Sequence, residues 1–151
     1  MSLFNGFNIS ASGLTANRMR MDVVSSNIAN ANTTRGKLVN GEWVPYRRKS
    51  VELTQSGISP FEQRLQSLMN RESGVVSGVK VSKIDEDQTP FTLSYDPSHP
   101  DAGEDGYVRL PNVDPIKEMV DLMSATRSYE ANITALNASK SMFMKALEIG
   151  K

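Results

Sequence analysis

At 151 residues and 38% apolar, the chain is long enough for one compact unit but poor in the material of a self-sufficient core. Lys plus Arg and Asp plus Glu both number 17, so no net field draws in nucleic acid or an anionic membrane surface. There is no cysteine, which excludes disulfides and thiolate chemistry and fits work outside a reducing compartment.

The N-terminus, Met1 to Phe7, has no basic region followed by an apolar run. If the chain leaves the cytoplasm, the expectation is export without a cleaved signal peptide. No stretch approaches the roughly 20 apolar residues of a membrane span, so direct membrane insertion is not expected. A first helical region occupies residues 1–36, starting at Ser2 or around Asn8 to Ser10 and ending by Gly36. Phe7, Ser10, Leu14, Asn17, Met21, Val24, Ile28 and Ala31 recur at alternating steps of three and four, the seam of a coiled coil. From Met1 to Thr34 the only charged residues are Arg18, Arg20 and Asp22. A solvated helix carries Glu/Lys pairs on its outer faces, whereas these faces are Ser, Thr, Asn and Ala.

Residues 37–112 read as a small β-rich middle. Lys37–Val39 and Glu42–Val44 flank Asn40-Gly41, a hairpin signal because both turn residues tolerate positive φ. Arg47-Arg48-Lys49 reads as a solvated strand end, and so does Asp85-Glu86-Asp87. Within Ser59-Pro-Phe-Glu62 a capping box opens a possible short helix at 60–70. Val75 to Ile84 alternates loosely, Phe91 to Tyr95 is another strand candidate, and Asp96 to Asn112, rich in Pro, Gly and Asp, is expected to be mostly irregular.

The last region, 113–151, has the clearest start. Asp114 can cap while Pro115 takes the first helical position, and the helix should run to about Ile149 with Gly150 as its stop. Its seam reads Met119, Leu122, Thr126, Tyr129, Ile133, Leu136, Lys140, Phe143 and Leu147. Arg127 and Glu130 beside Tyr129 are either a polar anchor between helices or the seam coming to the surface. The methionines of both helices fill a core or suit an interface with several unequal neighbours. The fold class is α+β, with long N- and C-terminal helices pairing as an antiparallel coiled coil around the β-rich middle.

Catalytic constellations are weak. His99 lies between prolines in a surface loop, where a loop-ordering hydrogen bond is the simpler reading than a general base. Asp101 to Gly106 only faintly resembles a calcium loop, since Asn112 stands where a bidentate Glu is required. No phosphate loop, metal-ligand spacing or nucleophile elbow is present, and no cofactor is implied.

Ser25-Ser-Asn-Ile-Ala-Asn-Ala-Asn-Thr33, preceded by Ser12-Gly-Leu-Thr-Ala16, resembles the N-terminal signature of the bacterial flagellar axial proteins, the rod, hook and hook-associated subunits. Glu118 to Asn132 looks like their C-terminal element. Pro45 to Lys49, Asp96 to Ala102 and Gly106 to Val113 are similar to the proximal rod members. The chain departs from the family at Thr34-Arg-Gly-Lys-Leu38, where many members carry Gly-Tyr.

The resemblance implies a structural subunit with no enzymatic activity and no small-molecule substrate. It implies export through the flagellar type III apparatus and assembly into the rod, the drive shaft in the periplasm or cell-wall zone that joins motor to hook. Its neighbours would be other rod subunits, copies of itself and the basal-body export-end protein. The expected assembly surface comprises Leu14, Met21, Val24, Asn27, Ile28, Asn30 and Asn32 on the first helix. On the second it comprises Met119, Leu122, Arg127, Tyr129, Asn132, Ile133, Leu136 and Phe143. Buried amides such as Asn27 and Asn30 would fix register between packed helices. The rivals are a self-contained helical-hairpin binding module, which would need charged outer faces, and a small hydrolase built on His99.

Overall fold

The computed structural model describes residues 3–56, 68 and 78–149. Helix α1 (Leu3–Ala29) is followed by strands β1 (Lys37–Val39), β2 (Glu42–Val44), β3 (Lys49–Gln55), β4 (Val79–Glu86), β5 (Thr92–Tyr95) and β6 (Tyr107–Leu110), then helix α2 (Pro115–Ile149). The strands form three separate two-stranded sheets, β1 with β2, β3 with β4 and β5 with β6. The expected short helix at 60–70 lies outside the described residues, Leu68 apart.

Helix α1 stops earlier than Gly36 for a local reason. The Asn30 carboxamide donates to Ser26 O at 2.9 Å, and Ala31 N–H bonds Ile28 O while Thr33 N–H bonds Asn30 O. These short-range bonds tighten the last turn and replace the helical ladder, as Asn and Thr side chains do at helix ends. Helix α2 begins as expected, with Asp114 Oδ1 accepting the Ile116 N–H at 3.0 Å and Pro115 at the first helical position. The β1–β2 hairpin also has its expected turn: φ is 52° at Asn40 and 89° at Gly41, the pair of positive values a type I′ turn requires.

Two strands depart from the sequence reading. β3 starts at Lys49, the last residue of the basic run, and continues through 50–55, where no strand was expected. β6 forms inside the stretch expected to be irregular, because Tyr107 to Leu110 pair residue by residue with Tyr95 to Thr92. Its β-forming Tyr-Val-Arg-Leu was outweighed by the Pro, Gly and Asp around it.

The chain divides into two compact units. One combines residues 1–19, 52–83 and 125–151, the other 20–51 and 84–124. In the first, Ala16 and Ala125 are the buried apolar residues, and Ser12 Oγ accepts the Val79 N–H at 3.0 Å, tying α1 to β4. Gly13 allows a close approach of the helices there, since a Cβ would lie 3.0 Å from Asn132 Oδ1. In the second, Val23, Val24 and Val108 are buried. Among the described residues no other hydrophobic side chain is fully enclosed apart from two prolines, Pro45 and Pro111.

Candidate functional site

The most enclosed part of the second unit is polar. Asn27 and Glu118 are both 0% exposed. The Asn27 carboxamide donates to Lys49 O and to Glu118 Oε2, both at 2.8 Å. Its oxygen accepts from the Lys49 N–H and the Tyr46 hydroxyl, both at 2.9 Å. That fills the full hydrogen-bonding capacity of an amide. Glu118 Oε1 takes the Arg48 Nε–H at 2.6 Å, and Arg48 also lies 3.7 Å from Asp87 and 3.6 Å from Asp121. Burial lowers the Arg48 pKa, but the hydrogen bond and charge of Glu118, with the charges of Asp87 and Asp121, outweigh it and hold it above the ordinary value. One node therefore joins the end of α1, the start of β3, the segment after β4 and the first turn of α2.

The basic run does border a strand end, since Lys49 opens β3, but it is not simply solvated. Arg48 sits in the node, Arg47 stacks 4.5 Å over the Phe91 ring, and all three residues are half-buried. Asp87 is not simply solvated either: hydrogen bonds from Thr89, then the charge of Arg48, hold its carboxyl below the ordinary value. A second tie fixes the chain after α1. Asp101 accepts from Thr34 Oγ1 and Arg35 Nε, both at 2.8 Å, and these bonds lower its pKa, with Arg35 the larger cause. His99 Nδ1 accepts the Asp101 N–H at 3.1 Å, the loop-ordering role expected of it.

The inner row of α2 differs from the expected seam by one residue at every second step. Glu118, Leu122, Ala125, Tyr129, Asn132, Leu136, Ser139 and Phe143 are all buried or half-buried. Leu122, Tyr129, Leu136 and Phe143 were on the expected seam, whereas Met119 and Ile133 are exposed. Choosing apolar Met119 and Ile133 over polar Glu118 and Asn132 produced that shift. Arg127 and Glu130 surface as an exposed pair at 3.4 Å, a contact of little energetic weight. On α1, Val24 and Asn27 are buried and Leu14, Met21 and Ile28 half-buried; past its end Asn30 is half-buried and Asn32 exposed.

The outer face of α2 in the second unit is apolar. Ile116, Met119, Val120 and Met123 fall at i, i+3, i+4 and i+7 and are each about half or more exposed, Ile116 reaching 70%. Beside Ile116 and Val120 runs an open groove of about 520 Å³ whose other wall includes Asp87, Thr89 and Asn112. Among the described residues no group of three or more His, Cys, Asp or Glu is placed to hold a metal ion, and no helix is long and apolar enough to cross a membrane.

Residues 7–36 match the family described as flagella basal body rod protein, and residues 104–149 match the C-terminal region of the flagellar basal body rod FlgEFG proteins. The flagellar basal-body rod protein FlgC of Bacillus subtilis is 64% identical over 151 residues, covering all of both chains. The chain belongs to the FlgC family of flagellar basal-body rod proteins. The FlgC of Borreliella burgdorferi is 43% identical over 99% of this chain and 98% of its own, and that of Salmonella typhimurium 42% identical over the whole of both. As a member of the FlgC family the chain is a structural component of the basal-body rod. The sequence reading did not place Glu118, Arg48, Tyr46, Ile116 or Val120 among the site residues. The available signal was the heptad that Glu118 shares with Ala125, Asn132 and Ser139.

Proposed function

We propose that this rod subunit completes its core only when neighbours cover it. The observation that carries this is the apolar stripe Ile116, Met119, Val120 and Met123, left open on a chain with so few buried apolar residues. The covering partners are other rod subunits and copies of itself, with the basal-body export-end protein at the base of the shaft. Small polar residues on the helices support the same reading. Thr15, Asn17, Asn132, Thr134 and Ser139 each donate back to a carbonyl four residues earlier, so they make little demand on water and let a neighbouring helix approach.

In the assembled shaft α1 and α2 pair antiparallel as a coiled coil. Within one unit Gly13 faces Asn132, and within the other Asn27 bonds Glu118, so the two helices approach one another in each. Leu14, Met21, Val24 and Ile28 support that packing. Asn27 serves the assembly from inside, holding α1 and α2 in register, and the exposed residues make the contacts. The subunit passes through the flagellar type III export apparatus as a loosely folded chain and works outside the cytoplasm in the periplasmic or cell-wall zone. Its termini, 1–36 and 113–151, form the shaft and 37–112 the outer part.

A self-contained helical-hairpin binding module fits less well, because the outer helix faces lack the charges that keep such a module apart from its neighbours. The test is complementation. Supplied to a flagellated bacterium lacking its own FlgC, the chain should restore rods in isolated basal bodies and swimming. Stable, exported chain that never enters a rod would overturn the reading.

A further inference from the structure

We propose that Asn40-Gly41 is a site of spontaneous modification, at which asparagine converts to aspartate and isoaspartate and the isoaspartate unlatches the β1–β2 hairpin. The step needs the Gly41 amide nitrogen to attack the Asn40 side-chain carbonyl carbon. The new N–C bond closes a five-membered succinimide, the bond to the side-chain nitrogen breaks, and ammonia leaves with the proton that Gly41 gave up. Water then opens the ring, at the side-chain carbonyl to give aspartate or at the main-chain carbonyl to give isoaspartate. Asparagine and water become an acid and ammonia, and nothing is oxidised or reduced.

The turn suits this chemistry. Asn40 and Gly41 are exposed, and a Cβ added at Gly41 would meet nothing within 4 Å, so the turn is uncrowded at Gly41. Neither the Asn40 carboxamide nor the Gly41 N–H takes part in a hydrogen bond among the described residues. Asn40 is the one non-glycine residue with positive φ among them, held there only by its place in a two-residue loop.

The chain carries its own control. Asn5-Gly6 is the second Asn-Gly pair, and Gly6 is just as uncrowded. It lies inside α1, however, where the helical backbone holds each amide nitrogen away from the preceding side-chain carbonyl. Backbone conformation, and not crowding, separates the two sites.

Isoaspartate carries the main chain through the side-chain carbons and so lengthens the loop. Loop length sets hairpin register, and here it pairs Leu38 with Trp43 and Val39 with Glu42. Trp43 is the single tryptophan, so its emission reports on the hairpin.

The experiment ages the intact purified chain in mildly alkaline buffer and follows both sites by peptide mapping with isoaspartyl methyltransferase labelling. Asn40 should convert about tenfold faster than Asn5, the factor that roughly 1.4 kcal/mol of difference in opening supplies. Trp43 emission should change in step with isoaspartate. An Asn40→Asp variant keeps the loop length and should keep the original emission, which separates the inserted atom from the added charge. Equal rates at the two sites, no conversion at Asn40, or unchanged emission after full conversion would each overturn the proposal.

Discussion

Asn27 and Glu118 stand 91 positions apart and meet in a 2.8 Å hydrogen bond from which water is excluded. The amide stands where its donors and its carbonyl are all consumed, which an aspartate cannot reproduce. Asn27→Asp would set a second carboxylate against Glu118, and Asn27→Ala would strand Lys49 and Tyr46 groups along with the acid. Each stranded buried group costs about 1–3 kcal/mol. Chemical denaturation should therefore show a loss of at least about 3 kcal/mol in Asn27→Ala and a larger one in Asn27→Asp.

Arg48 and Glu118 are a pair in which one partner is enclosed and the other keeps an edge in solvent. Removing the cation leaves a buried carboxylate uncompensated. Arg48→Met should lower stability by about 3 kcal/mol, the lower end for a broken buried pair because Arg48 is partly exposed. Adding Glu118→Gln should recover much of that loss. A double-mutant cycle in urea measures the coupling directly.

Acid should loosen the second unit through its aspartates. Hydrogen bonds from Arg35 and Thr34 depress the folded pKa of Asp101, as those from Thr89 with the charge of Arg48 do for Asp87 and those from Ser98 for Asp96. A depressed folded pKa means the unfolded chain binds more protons in acid. The stabilisation is complete above the unfolded carboxylate value of about 3.9 and is lost as pH falls through the lower folded values. Stability measured between neutral pH and strong acid should drop below that point, and Asp101→Asn should flatten the drop.

Hydrogen exchange should divide each helix in two. In the dilute chain, residues 20–29 and 115–124 flank the node and should exchange slowly. Residues 3–19 and 125–149, where among the described side chains only Ser10, Ala16 and Ala125 are buried, should exchange faster than these segments while keeping most of their helix, and become fully protected in isolated rods. Uniform slow exchange along both helices in the dilute chain would favour a self-contained hairpin.

The sequence made the helices, the Asn-Gly hairpin and the Asp114 cap legible because each rests on a local rule. The seam was readable only in part. Apolar spacing finds Leu122, Tyr129, Leu136 and Phe143, but it passes over an inner row in which Glu118, Asn132 and Ser139 alternate with them. A buried Glu is legible only once its partner is known, and Arg48 lies 70 positions away. β6 was hidden for a related reason, since its pairing with β5 spans a loop whose Pro, Gly and Asp content argued for irregular chain. The family was legible from separated motifs in order.

If the outer stripe of α2 is covered in the rod, charging it should keep the subunit out of rods. Val120→Glu with Met123→Glu changes two exposed positions, 55% and 60% open, where substitutions in the free chain should stay within about 0.5 kcal/mol. The decisive measurement is the amount of this double variant in basal bodies isolated from cells that carry no other copy. The double variant should be folded and exported yet absent from rods, with swimming lost. Incorporation at the unmodified level with normal swimming would mean that the stripe is not an interface in the rod.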